Sequence, residues 1–252
     1  PADAAQLDID KLSVGWVTPI ELQGITVSEP TGERIVQIER LQISRSLVDL
    51  MLARRSLGTI RIDRPHAYLT VRPDGSNLED LASRLAKAFE DDSPEDDSKD
   101  KRPTRFRFEL IDGIVETADV ATGNRWIANS LNVTLDRTEP ELAALKFAAS
   151  GQLGPPAVEG TAAAPIGPDT PGSFSVALEP LDSDRQQARL HSTALPLGAI
   201  EPRCRRIDPT LELVGWLTGE GSASWKLPKP IDQATNQTLP TLVEQIRAEG
   251  GQ

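Results

Sequence analysis

Apolar and polar residues alternate along most of this chain, in short runs separated by turn residues, and a period of two predicts strands. From Gln6 to Val17 the apolar positions are Leu7, Ile9, Leu12, Val14 and Trp16, and Pro19 breaks the run. Glu21–Val27 and Arg34–Ile43 repeat the pattern, with Glu29-Pro30-Thr31-Gly32 as a turn between them. These read as antiparallel strands on short connections. Ser46 then starts a short helix. Ser46 and Asp49 have capping-box spacing, Leu47, Leu50 and Met51 form an apolar stripe, and Arg54 and Arg55 suit the helix dipole.

The stretch from Gly58 to Leu81 organises the rest. Ile60 and Ile62 alternate with Arg61 and Asp63, but after Pro65 the apolar residues Ala67, Leu69 and Val71 are odd-numbered. A one-residue change of phase turns the buried face over unless it is absorbed, which predicts a bulge near Arg64–His66. Pro73-Asp74-Gly75 is turn chemistry, and Ser76 or Asn77 can cap a helix with Glu79 or Asp80 three residues on. That helix spans about Leu78 to Phe89. Leu78, Leu81, Ala82, Leu85, Ala88 and Phe89 form a face expected to lie on the sheet.

Glu90–Lys101, EDDSPEDDSKDK, has no apolar residue and reads as a flexible linker. A calcium loop is the sharper alternative, but the mid-loop glycine and the ligand spacing of an EF-hand are missing. Strands resume with Phe106, Phe108 and Leu110, and Asp112-Gly113 signals a hairpin. A second hairpin is expected across Ala121-Thr122-Gly123-Asn124, followed by the alternating Leu131, Val133 and Leu135. Strands at Lys146–Gln152, Ala157–Ala164 and Ser173–Leu178 continue the meander. A short helix is expected at Pro196–Arg206 with Leu197, Ile200 and Cys204 inward. Two last strands are expected at Thr210–Leu217 and Gly221–Leu227, turned at Thr218-Gly219-Glu220. Val-Gly-Trp occurs at Val14–Trp16 and again at Val214–Trp216, an echo between the halves.

The fold class is therefore mainly β with a few short helices, a β-rich α+β chain on a long twisted antiparallel sheet or half-pipe with helices packed on it. The expected organisation is a β-rich module with two helices at 1–89, an acidic linker at 90–104, a β-meander module at 105–230 and a tail at 231–252. The tail is amphipathic from Leu239 to Ile246 and reads as truncated.

Composition narrows the function. The 252 residues suffice for a sizeable core, but with 4% aromatics that core must be aliphatic. A net charge of −11 argues against nucleic acid as a partner. The single cysteine, Cys204, rules out an intrachain disulfide. No apolar run approaches the ~20 residues that span a bilayer. No signal peptide is present, and the opening Pro1-Ala2-Asp3 reads as the start of a fragment of something longer.

Gly58-Thr59-Ile60-Arg61-Ile62-Asp63-Arg64-Pro65, then Leu69-Thr70-Val71, then Asp74-Gly75-Ser76-Asn77-Leu78 resembles the AsmA-like proteins, relatives of the translocation and assembly module subunit TamB of Gram-negative envelopes. The likeness covers about the first third of the chain. The second half shares only its texture of meander strands. The resemblance implies a half-pipe sheet with an apolar inner face, inner-membrane anchoring through a segment missing from this chain, and a periplasmic location. It also implies a part in moving phospholipid or assembling the outer membrane, with phospholipid acyl chains and envelope proteins as partners. The candidate groove-lining residues are Ile60, Ile62, Leu69, Val71, Phe106, Phe108, Leu131, Val133 and Leu135. On the residues alone the same alternation also describes an ordinary sheet packed under a helix.

No catalytic constellation is visible. His66 and His191 lack partners at metal-ligand spacing, and His66 reads as a surface or edge residue. Cys204, between Arg203 and Arg205, reads as a buried structural thiol. No nucleophile elbow, P-loop or dinucleotide fingerprint appears. A non-enzymatic, cofactor-free and metal-free lipid-handling module is the first expectation. An interaction module that binds a partner by strand addition is the second. A carbohydrate-active protein is the third; exposure of Trp16, Trp126, Trp216 and Trp225 would favour it, whereas the groove expects them inward.

Overall fold

The structure is a computed structural model, and it describes residues 5–52, 56–90, 105–137, 145–155, 171–182, 185–199, 201–205, 213 and 215–226, with the backbone alone at 85–90 and 202–203. Arg54, Arg55, most of the acidic linker, the strand expected at Ala157–Ala164, Ile200 and the tail lie outside the described residues.

A single open, half-pipe-like sheet takes up the strands. The first meander supplies β1 (Gln6–Ser13), β2 (Ile20–Ser28) and β3 (Arg34–Ile43), and helix α1 (Leu47–Leu52) leads into the long β4 (Ser56–Arg72). The two-residue β5 (Gly75–Ser76) folds back on β4 and runs into α2 (Asn77–Glu90). The second half supplies β6 (Arg105–Asp119), β7 (Arg125–Arg137), β8 (Lys146–Gly154), β9 (Gly172–Pro180) and β10 (Arg185–Pro196). A 3-10 turn (Leu197–Ala199), α3 (Glu201–Cys204) and the edge strand β11 (Trp216–Lys226) complete it. Strand order follows chain order, β1-β2-β3-β4-β6-β7-β8-β9-β10-β11.

Neighbours are antiparallel except β4 and β6, which run parallel with Ile60 beside Phe108, Ile62 beside Leu110 and Leu69 beside Thr117. A parallel pair needs a crossover of a dozen or more residues. Helix α2 lies within the connection from β4 to β6. The two expected β modules therefore share one sheet.

Several local expectations change. Asp112-Gly113 makes no hairpin, because β6 runs straight through it; the hairpin lies at Val120–Asn124, where Asp119 N–H donates to the Asn124 carbonyl at 2.9 Å. Thr218–Glu220 makes no turn either and lies within β11. Strand β10 was not legible in the pattern. Its inner positions are Gln186, Ala188, Leu190 and Ser192, too polar and too small to alternate visibly. The helix expected at Pro196–Arg206 splits into the 3-10 turn and α3.

The phase change in β4 is real, but no bulge absorbs it there. Register with β3 is the same on both sides, with Arg40 facing Asp63 and Ile38 facing Pro65. Instead Arg64 takes a left-handed backbone, φ 49°, and so do Gly24 (φ 61°), Asp112 (φ 53°) and Ser130 (φ 51°) at the same level of β2, β6 and β7. One left-handed residue rotates the next peptide and restarts the alternation in the opposite phase. Because neighbouring strands do this at one level, the sheet creases along a line that crosses them. At β6–β7 and β7–β8 the line coincides with register shifts, between Leu110 and Gly113 and between Asn129 and Asn132.

Helix α1 is capped as expected. Ser46 N–H and Oγ–H both donate to Asp49 Oδ2, at 3.1 and 2.8 Å, and Asp49 N–H donates to Ser46 Oγ at 3.2 Å. These bonds hold the Asp49 carboxyl below its ordinary pKa, the side-chain bond from Ser46 being the larger cause. Val14 and Trp16 leave the strand pattern, since β1 stops at Ser13. Their loop instead lends the carbonyls of Gly15 and Trp16 to the N–H groups of Leu47 and Val48. At α2, Ser76 Oγ accepts from Glu79 N–H at 3.3 Å. Asn77 stands in for a missing strand: its side chain donates to the Tyr68 carbonyl at 2.7 Å and accepts from Thr70 N–H at 3.0 Å. The helix touches β4 and β5, but Leu78 is 41% exposed and Ala82 is exposed as well, so its first turns do not seal an apolar face on the sheet.

Candidate apolar groove

Residues that pair across a sheet share a face, so the register assigns faces directly. One row runs Leu12, Leu22, Leu41, Ile62, Leu110, Val133, Ala149, Val176, Leu190 and Gly221, across ten strands. Beside it runs Ile20, Ile43, Ile60, Phe108, Leu135, Phe147, Leu178, Ala188 and Ala223. Beyond the crease a third row runs Leu7, Val27, Val36, Ala67, Val115, Ala128, Leu153 and Gly172. None of these positions is charged.

Contacts at Gly113 show that rows from both sides of the crease lie on one face. A Cβ on Gly113 would stand 2.8 Å from Leu110 Cδ2, before the crease, and 3.3 and 3.4 Å from Pro65 and Leu131 beyond it. At Gly151 a Cβ would stand 2.5 Å from Leu131 Cδ2 and 3.3 Å from Phe174. Glycine is needed here for space, because side chains from two walls converge on the floor of the crease.

The nine sequence-predicted residues fall on this face. Ile60, Phe108 and Leu135 share one row, and Ile62 and Val133 another; Phe106 stands beside Gly58 and Leu131 beside Gly113. Leu69 continues through Thr117 to Trp126, and Val71 stands beside Asp119 at the far rim. The sequence pattern missed Phe147, Phe174 and Val176 as members of the same surface, although each alternates correctly within its own strand. Few of these side chains are sealed. Among the described hydrophobic residues only Ile25, Ile35 and Val71 are fully buried, at 6, 3 and 7% exposure. The surface is a half-covered apolar face.

The opposite face is polar and ion-paired. Arg40 meets Glu21 at 3.2 Å, Arg61 meets Asp63 at 2.8 Å and Arg107 meets Glu109 at 2.7 Å. Gln23 Nε2 donates to Glu21 at 2.6 Å and, with Arg40 adding to it, holds the Glu21 carboxyl below its ordinary range. Arg72 is pushed above its usual pKa by its hydrogen bond to Asp80 of α2. An open cavity of about 720 Å³ lies on the polar side of β7–β11, floored by Thr134, Ala148, Ser150, Ser175, Arg189 and His191.

His66 is no edge residue. It lies mid-strand, its Nε2 2.8 Å from Glu116, with its ring stacked on Tyr68 at 4.3 Å. Its partner is 50 residues away and arrives through the parallel β4–β6 pairing. Cys204 is half-buried and unpaired. Among the described residues no group of three or more potential metal ligands gathers, and no helix is long and apolar enough to cross a membrane.

The tryptophans depart from expectation. Trp16, Trp216 and Trp225 are 66, 47 and 39% exposed, and only Trp126 is half-buried. Trp16 sits in the β1–β2 loop, and the other two lie on β11, which has no outer neighbour among the described residues. They form no sugar-stacking platform: Trp16 is near one edge of the sheet and β11 is the other, with Trp216 and Trp225 about 30 Å apart along it.

No family model matches this chain, and no curated protein matches it.

Proposed function

We propose that this chain is a non-enzymatic lipid-handling module, and that phospholipid acyl chains lie in the trough formed by the two apolar walls. The observation that carries this reading is the three uncharged rows, two of them running from β1 or β2 to β11 on one side of the crease and one from β1 to β9 on the other, with Arg137 and Asp119 only at the rims. A sheet that wanted only a core needs a second layer over that face; here the apolar side chains stay half-exposed. Burying apolar area is worth about 25 cal/mol per Å², so acyl chains laid along these rows would bind without any specific polar contact. The opposite face, polar and ion-paired, suits water. The resemblance of Gly58–Leu78 to the AsmA-like proteins supports the same reading, with the chain in the periplasm, anchored through a segment outside this sequence and working in envelope assembly beside other envelope proteins.

Native mass spectrometry of the protein purified from a bacterial host, followed by organic extraction, tests it. Co-purified phospholipid, lost in folded Leu69→Glu and Val133→Glu variants, supports the groove. A folded, lipid-free protein shifts the balance to the second reading, strand addition. One observation favours that alternative: β11 is an edge strand exposed at every residue, with neither proline nor an inward charge to block pairing.

A further inference from the structure

We infer that the segment after β10 is a clasp over the far wall of the trough, held shut through Arg205. The segment does not follow the sheet. Strand β10 ends at Pro196, three strands from β7, yet a Cβ on Gly198 would stand 3.0 Å from the Trp126 ring of β7. Further on, Arg205 Nη1 comes to 3.8 Å from Asp119 Oδ2 at the end of β6, four strands from β10. With neighbouring strands about 4.8 Å apart, these contacts span three and four strand spacings, so residues 197–205 cross from the end of β10 toward the ends of β7 and β6. Trp126 belongs to the apolar row of Leu69, so the crossing is on the trough side.

The clasp is fixed at both ends. Leu197 N–H donates to the Gly215 carbonyl at 3.0 Å, anchoring its base. At its tip, Asp119 is 5% exposed and its carboxylate already accepts from Ala121 N–H at 2.9 Å and Thr122 Oγ–H at 2.6 Å. The turn therefore holds the carboxylate in place independently of Arg205. Arg205 bridges this anchor to the buried Glu201 one helical turn earlier. The closed state leaves one group worse off: Trp126 Nε1 is buried with no hydrogen-bond partner among the described residues. Opening would return that N–H to water or offer it to a carbonyl oxygen. A latch of one ion pair set against an orphaned donor is built to open. Resting on the lipid reading, the clasp gates this stretch of the trough, and an acyl chain beside Leu69 requires it open.

The full chain carrying Trp16→Phe, Trp216→Phe and Trp225→Phe reports on Trp126 alone. Arg205→Met keeps the aliphatic stem and leaves the turn at Asp119 intact; Gly198→Val opens the clasp by collision instead. In either variant, folded by far-UV circular dichroism, the expected result is a red-shifted emission and at least a twofold rise in acrylamide quenching. Trp126 as protected in both variants as in the parent overturns the clasp. Vesicles of phosphatidylethanolamine and phosphatidylglycerol separate the two ideas. Faster uptake of labelled lipid by the opened variants supports gating. Opening without uptake by any form upholds the clasp and removes the lipid reading.

Discussion

Arg64 on β4 and Asp112 on β6 lie at one level of two parallel strands, between the pairs Asp63–Ile111 and His66–Ile114, and both have left-handed backbones. Neither is glycine, so each carries strain of about 1 kcal/mol that the neighbouring strands must hold in place. What the strain secures is the face: without the phase change Ile62 and Ala67 would point to opposite sides.

Relief of that strain is measurable. Arg64→Gly is expected to raise stability in urea by about 0.5–1 kcal/mol relative to Arg64→Ala, because glycine adopts positive φ freely. Arg64→Val is expected to fall below alanine by about 1 kcal/mol. The ion pair of Arg64 with Glu39 is exposed and contributes little, so alanine is the fair reference. Equal midpoints for glycine and valine would remove the crease as a conformational constraint.

Crowding on the floor of the crease makes its own prediction. Gly151→Ala places a methyl 2.5 Å from Leu131 Cδ2 and 3.2 Å from the Asn129 carbonyl, of which only the first can move. A loss of about 1–3 kcal/mol is expected. Gly123→Ala, on an open turn with no atom within 4 Å, should cost about 1 kcal/mol, from its positive φ alone. Thermal melts of the two variants check the order.

The α1 cap is a test of local chemistry. Ser46→Ala should lower stability by about 1 kcal/mol. Asp49 adds a pH dependence. Its pKa is lower folded than unfolded, so its stabilisation is complete above the ordinary value of 3.8 and is lost as pH falls through the folded pKa. Comparing the protein with Asp49→Asn across an acid titration should show a gap that is constant near neutrality and closes in acid. A gap that widens in acid reverses the sign and contradicts the assignment.

Much of this was legible in the sequence. The odd and even numbering of Ile60, Ile62, Ala67, Leu69 and Val71 announces the phase change, and the alternation of Leu131, Val133 and Leu135 places them on one face. How the phase change is made was not legible. A bulge in one strand and a crease shared by its neighbours leave the same mark on β4, and only the register of β3 and β6 separates them. The parallel β4–β6 pair was hidden too, since the acidic sequence between the two strands reads as a linker between modules. With it were hidden the His66–Glu116 contact and the meeting of Pro65 with Gly113. The clasp rests on Arg205 and Asp119, 86 positions apart and brought together only by the path of residues 197–205 away from β10.

In the proposed lipid-bound state acyl chains touch one face of β4, and this face changes numbering at Arg64. A photoreactive side chain placed singly at residues 60 to 63 and 66 to 69, irradiated with phospholipid bound, tests it most directly. Crosslinks at Ile60, Ile62, Ala67 and Leu69, with none at Arg61, Asp63, His66 and Tyr68, are the expected result. Crosslinks that keep one parity through the whole strand, or that appear equally at all eight positions, would contradict it.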